Sequence, residues 1–386
     1  MLQLSRNPKS RSPRASPAVR VAFFLAFGVL QTLFALALFQ RADDHAYFLE
    51  IADAADTPVA IESGIEEFDL KVQAASTVFH ALTAPSRWLG GGEVAHLVWL
   101  RLLTLAGFLA AFEWVRKTLR PESTEAETAD ARKRFMILCL LYPGQLAWTA
   151  SLLRDGPACA MLFCALLAWS SRRYLFAAAF AVTSLALRPE FALVITALAL
   201  STLVAKRLDR LRHRRLWLAL FCGFLALLFF APRQASSEFG QSAFVEGGFA
   251  YPAVTNPFDV GGYLLVLAQA LVDPISLTSL SSPSPFFLAE AAFFAWLVWS
   301  GWRRLPFVNA RAASLLSASY ATLWVFAYFE IFVSGFSRHR LALVVLLIAV
   351  HVLTNPRPAR ATAPRRGPPP AIGAPDRALS SAAQRP

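Results

Sequence analysis

Asp43 and Asp44 stand side by side a few residues beyond an apolar run, 21–39, and the chain continues as Asp43-Asp44-His45-Ala46-Tyr47-Phe48. Adjacent carboxylates at the edge of an apolar segment are partly desolvated and cost free energy unless something uses or neutralises them. A base or a metal-binding carboxylate at such a boundary suits chemistry on a substrate whose tail is in lipid and whose head is in water. Basic residues mark the borders of other apolar runs. Arg154 and Asp155 lie in Ser151-Leu152-Leu153-Arg154-Asp155-Gly156, Arg188 in Leu187-Arg188-Pro189-Glu190, and Arg338, His339 and Arg340 in Gly335-Phe336-Ser337-Arg338-His339-Arg340-Leu341. Arginine binds phosphate bidentately, so four arginines converging from three distant turns make an anion site facing the acidic motif. Taken singly, each has a plainer reading: a local ion pair (Arg154 with Asp155, Arg188 with Glu190) or a side chain reaching for lipid headgroups. Taken jointly, they point to a site.

Composition says which elements must position these residues. Of 386 residues, 56% are hydrophobic and 16% charged, against roughly 25% charged in soluble domains, which excludes an ordinary soluble enzyme. The apolar residues arrive in blocks, at 21–39, 94–115, 135–152, 157–171, 174–188, 190–205, 216–231, 285–301, 309–332 and 340–354. This spacing predicts an all-α polytopic membrane protein of about ten transmembrane helices. The first block exceeds the roughly 7–15 residues of a signal h-region and reads as a retained anchor. Two weaker stretches, 74–89 and 260–272, read as one or two interfacial helices on the outer side, the second of them interfacial or re-entrant.

The net charge of +12 follows the same logic. Arg and Lys gather in 1–20, 116–134, 172–173, 206–215, 302–308 and 355–386, which the positive-inside rule places in the cytoplasm together with both termini. No nucleic-acid motif accompanies them, so nucleic acid is excluded as a partner and the lipid bilayer takes its place. The chain therefore divides into a basic cytoplasmic tail (1–20), a transmembrane region (21–354) with outer loops 41–93 and 232–284, and a Pro-rich basic tail (355–386) expected to be disordered. Nine acidic residues against two basic ones occupy 41–71, on the outer side. Cys139, Cys159, Cys164 and Cys222 fall inside apolar blocks with no metal spacing, as small buried hydrophobes.

The order of these pieces resembles the C-type glycosyltransferase superfamily, integral membrane enzymes that use polyprenyl-phosphate-linked sugars, including protein mannosyltransferase-like and aminoarabinose transferase-like members. The likeness rests on Asp43-Asp44-His45-Ala46-Tyr47 after the first span, Ser76-Thr77-Val78-Phe79-His80-Ala81-Leu82, the turn Leu89-Gly90-Gly91-Gly92-Glu93, and Leu100-Arg101-Leu102-Leu103. Leu141-Tyr142-Pro143, Ser151-Leu152-Leu153-Arg154-Asp155 and Ser337-Arg338-His339-Arg340 complete it. The chain departs from the pattern in lacking a Lys-Pro-Pro-like element, with Lys71-Val72-Gln73 in its place, and in lacking a large outer soluble domain. The resemblance implies inverting transfer of a sugar from a polyprenyl-phosphate donor to a glycan, lipid or protein acceptor at the outer face of a bacterial inner membrane. Asp43 is then the general base, Asp44 its partner or a ligand for Mg or Mn if a divalent cation is used, and Tyr47 orients the base. Arg154, Arg188, Arg338 and Arg340 hold the donor phosphate, with His45, Asp155 and His339 as further candidates. Rival readings are a polysaccharide polymerase or ligase, a transporter using Glu290 or Glu330, and a non-catalytic assembly protein.

Overall fold

The computed structural model describes residues 17–38, 45–54, 69–88, 90–145, 152–208, 213–228, 285–329 and 340–355. Among the described residues the chain is helical with no strand, in twelve helices. They are α1 (Pro17–Leu38), α2 (His45–Asp53), α3 (Asp69–Trp88), α4 (Glu93–Leu119), α5 (Glu125–Leu141), α6 (Asp155–Ser170), α7 (Tyr174–Leu187), α8 (Phe191–Leu208), α9 (Arg214–Leu228), α10 (Pro285–Arg304), α11 (Ala310–Phe329) and α12 (Leu341–Thr354). One of them, α4, is long and apolar enough to cross a membrane by length and composition among the described residues.

Helix ends follow local chemistry more than hydropathy. The apolar block at 135–152 is entered by a helix that starts at Glu125, because Thr124 and Glu127 form a reciprocal capping box. The same helix stops at Leu141, where Tyr142 takes an extended conformation before Pro143. Of the stretch at 74–89, residues 74–88 belong to a longer helix, α3, starting at Asp69. Between α3 and α4, Gly90, Gly91 and Gly92 all have positive φ, a turn that residues with a Cβ seldom adopt. The segments 229–284 and 356–386, with the expected interfacial stretch 260–272 and the C-terminal tail, lie outside the described residues.

Small residues set the closest crossing. A Cβ on Gly107 would collide with the backbone of Ala160, and one on Gly156 would sit 2.5 Å from Thr104 Oγ1. The rising pairs Thr104 with Gly156 and Gly107 with Ala160 show that α4 and α6 run parallel, at the close approach that small residues permit. At the centre lies α12, apolar on every side and buried at twelve of its fourteen residues. It packs on α4, α5, α6, α10 and α11.

The two ends of the bundle differ in chemistry. At the end where α4 finishes, basic side chains donate to backbone carbonyls: Arg311 to Thr118 O (3.2 Å) and Arg215 to Trp302 O (3.0 Å) in the last turns of α4 and α10, and Arg214 to Val308 O (2.7 Å) in the turn between α10 and α11. Such pairings satisfy orphan carbonyls and complement the negative end of the helix dipole. The end where α4 begins, the upper end, also carries the starts of α6, α10 and α12 and the finishes of α5 and α7. It holds two buried ion pairs, Arg188 with Asp155 and Arg340 with Glu290.

Candidate functional site

α2 is short, so its last carbonyls dominate its energetics, and α3 supplies donors for them. His80 Nδ1 donates to Ile51 O at 3.0 Å and Arg87 to Ala52 O at 2.9 Å, while a second Arg87 nitrogen lies 3.1 Å from His80 Nε2. The Phe48 and Phe79 rings pack with centroids 4.9 Å apart. The final residue of α2, Asp53, places Oδ1 2.8 Å from His96 Nε2 in the first turns of α4. On the other side of that ring, His96 Nδ1 lies 2.7 Å from Ser86 Oγ of α3. His96 and Ser86 are buried, whereas the Asp53 side chain is 48% exposed. Three helices thus meet at one imidazole.

Two further pairs lie at the upper end. Arg188, at the close of α7, reaches Asp155 at the start of α6 across 2.6 Å, with both side chains buried. Arg340, the residue before α12, contacts Glu290 of α10 at 2.6 Å, and the Tyr142 hydroxyl donates to the same carboxylate oxygen at 2.9 Å. The Arg340 guanidinium also stacks over Phe294, 4.4 Å from the ring centroid. Gly144 leaves the space that Glu290 occupies, since a Cβ there would collide with the carboxylate. Deeper in the bundle, Arg101 of α4 donates from Nε to Gln31 Oε1 of α1 at 2.9 Å, and a second guanidinium nitrogen bonds the same oxygen.

Of the residues expected to act, Asp43, Asp44, Arg338 and His339 lie outside the described residues. His45 and Tyr47 belong to α2, whose first residue is His45. Arg154 directly precedes α6 and is half-buried. Asp155, Arg188 and Arg340 are buried in the pairs just described. The structure therefore brings Arg188 to Asp155 and Arg340 to Glu290. Among the described residues no group of three His, Cys, Asp or Glu side chains gathers as a metal site. Comparison with family models, with curated proteins and with solved structures finds no match to the chain.

Sequence reasoning singled out neither the Ser86–His96–Asp53 chain nor the junction of Tyr142, Glu290 and Arg340. A signal existed for each: His96 is an ionisable residue near the start of an apolar block, and Glu290 an acid near the start of another. What could not be read was the pairing, because Tyr142 and Glu290 are 148 residues apart in the chain.

Proposed function

We propose that this chain is a polytopic membrane glycosyltransferase with about ten spans, moving a sugar with inversion from a polyprenyl-phosphate donor to an acceptor at the outer face of a bacterial inner membrane. The observation that supports it most is the anchoring of α2. The acidic pair Asp43-Asp44 directly precedes this helix, and α2 is tied at its far end to α3 and α4 through His80, Arg87 and His96. Only the order along the chain links the acidic pair to this anchored helix, and a general base needs a rigid element next to it.

In this reading Asp43 takes the acceptor proton, Asp44 assists it or binds a divalent cation, and Tyr47 orients the base. The acceptor oxygen attacks the anomeric carbon as the bond to the donor phosphate breaks, and the leaving phosphate keeps the bonding electrons. Its developing charge is met by Arg154 and Arg338. Arg188 and Arg340 join with guanidinium N–H groups beyond those that hold Asp155 and Glu290, so that neither buried carboxylate is stranded. The engagement of Glu290 by Arg340 and Tyr142 weighs against a transporter in which that acid carries a proton or an ion. The test is turnover of a polyprenyl-phosphate sugar by the protein in lipid vesicles. Asp43→Asn is expected to abolish sugar release while the protein stays folded in the membrane, and unchanged turnover would exclude Asp43 as the base.

A further inference from the structure

At the end of the bundle where α4 and α6 finish, the turn between α6 and α7 reads Trp169-Ser170-Ser171-Arg172-Arg173-Tyr174. The Arg173 N–H donates to Ala168 O at 2.9 Å and the Arg172 N–H to Trp169 O at 3.0 Å. This is the Schellman arrangement of a helix end, in which the residue just past the cap takes the left-handed conformation and is usually glycine. Here that residue is Arg172, with φ 58°, the one non-glycine residue at positive φ among the described residues. The Cβ disfavours an arginine there, and a glycine would close the helix with less strain. The turn keeps the arginine against its own backbone preference, a cost that calls for a use of the guanidinium.

The surroundings indicate that use. Arg172 and Arg173 are exposed, and among the described residues neither side chain has an acid or any other polar partner. Lys117, in the last turn of α4, joins them by donating to Ser171 Oγ at 3.1 Å. Glu113, the acid one turn earlier on α4, is already held by Arg116 and Arg132. Beside the cations stand two exposed rings, Trp169 and Tyr174, edge to face with centroids 5.1 Å apart. Leu175 and Phe176 follow and are exposed as well, apolar surface suited to lipid more than to water. Cations, then a Trp–Tyr pair with polar edges and apolar bodies, then bare Leu and Phe make the gradient of a membrane interface within a few residues. We propose that the α6–α7 turn binds the phosphodiester headgroup of an anionic phospholipid, with Arg172, Arg173 and Lys117 around the phosphate and Trp169 and Tyr174 beside the glycerol backbone. The arginine fork meets two phosphate oxygens at once. This inference rests on the membrane reading and is independent of sugar transfer.

The experiment is native mass spectrometry of the full chain in detergent, titrated with phosphatidylglycerol or with phosphatidylcholine. Wild type is expected to bind a first phosphatidylglycerol in preference to phosphatidylcholine. Arg172→Gly is expected to weaken that binding about fivefold, and Arg172→Gly with Arg173→Gln about 25-fold, at the worth of a basic residue on an anionic surface. Phosphatidylcholine binding is expected to stay the same. The thermal midpoint of Arg172→Gly without lipid is expected to stay level or rise, because glycine relieves the left-handed residue. A lowered midpoint would make Arg172 a structural part of the turn and overturn the proposal. Unchanged phosphatidylglycerol affinity in the double variant, or an equal loss for both lipids, overturns it too. So does displacement of the lipid by inorganic phosphate, which would make the ligand a free anion. A chain recovered from the aqueous phase without detergent would remove the membrane reading and the lipid site with it, whereas a chain that needs detergent but fails the lipid comparison loses the site alone.

Discussion

Glu290 is 1% exposed and accepts from both the Arg340 guanidinium and the Tyr142 hydroxyl. A carboxylate and a guanidinium taken out of water together repay their desolvation only through each other, so removing one strands the other. Glu290→Gln is therefore expected to destabilise the protein by about 3–5 kcal/mol, read as a lowered thermal midpoint in detergent. Glu290→Gln combined with Arg340→Met is expected to recover most of that loss, since no buried charge then lacks its partner. Arg188 and Asp155 make the same argument on α6 and α7. The acids and arginines were visible in the sequence as charges beside apolar blocks. Which acid each arginine meets was not, because the partners arrive from different helices and no spacing along the chain encodes the meeting.

At the scale of the helix, α5 shows how local chemistry overrides hydropathy. The Thr124 backbone N–H, and after it the Thr124 hydroxyl, hydrogen-bond the Glu127 carboxylate and hold it below the usual carboxylate range. A group depressed in the folded state contributes stability above its unfolded pKa and loses it as pH falls through the folded one. Amides in the first turn of α5 are thus expected to lose protection under acid conditions, and Thr124→Ala to remove that dependence, as followed by hydrogen exchange. The signature Thr124-Glu125-Ala126-Glu127 was legible as a helix start; a search for apolar runs passes over it because it is polar. The α4–α6 crossing is a second element-scale feature. Ala160→Leu is expected to force the helices apart there and to cost about 1–3 kcal/mol of stability by overpacking against Gly107.

For the whole molecule, the segregation of charge by end is the feature that a membrane would read. If the proposed topology holds, the upper end faces out, and a membrane-impermeant thiol reagent applied to right-side-out vesicles is expected to label Trp88→Cys and not Glu122→Cys, both exposed positions. Cys164 and Cys222, the half-buried thiols, are replaced by Ser for this purpose. Labelling in the opposite pattern would invert the topology. The alternation of apolar blocks with basic connectors let the helices be placed from the sequence to within a few residues in most cases, because hydropathy and charge are properties of contiguous segments. The arrangement of helices around α12 was not accessible in this way, since it depends on which faces fit.

The position of α12 has one more consequence, in the order of synthesis. The helix that fills the middle of the bundle is translated after every other described helix. Until the ribosome has delivered it, α4, α5, α6, α10 and α11 lack the neighbour they share. A nascent chain interrupted before residue 341 therefore lacks the packing partner these five helices share, a state that a protease can tell apart from the finished protein.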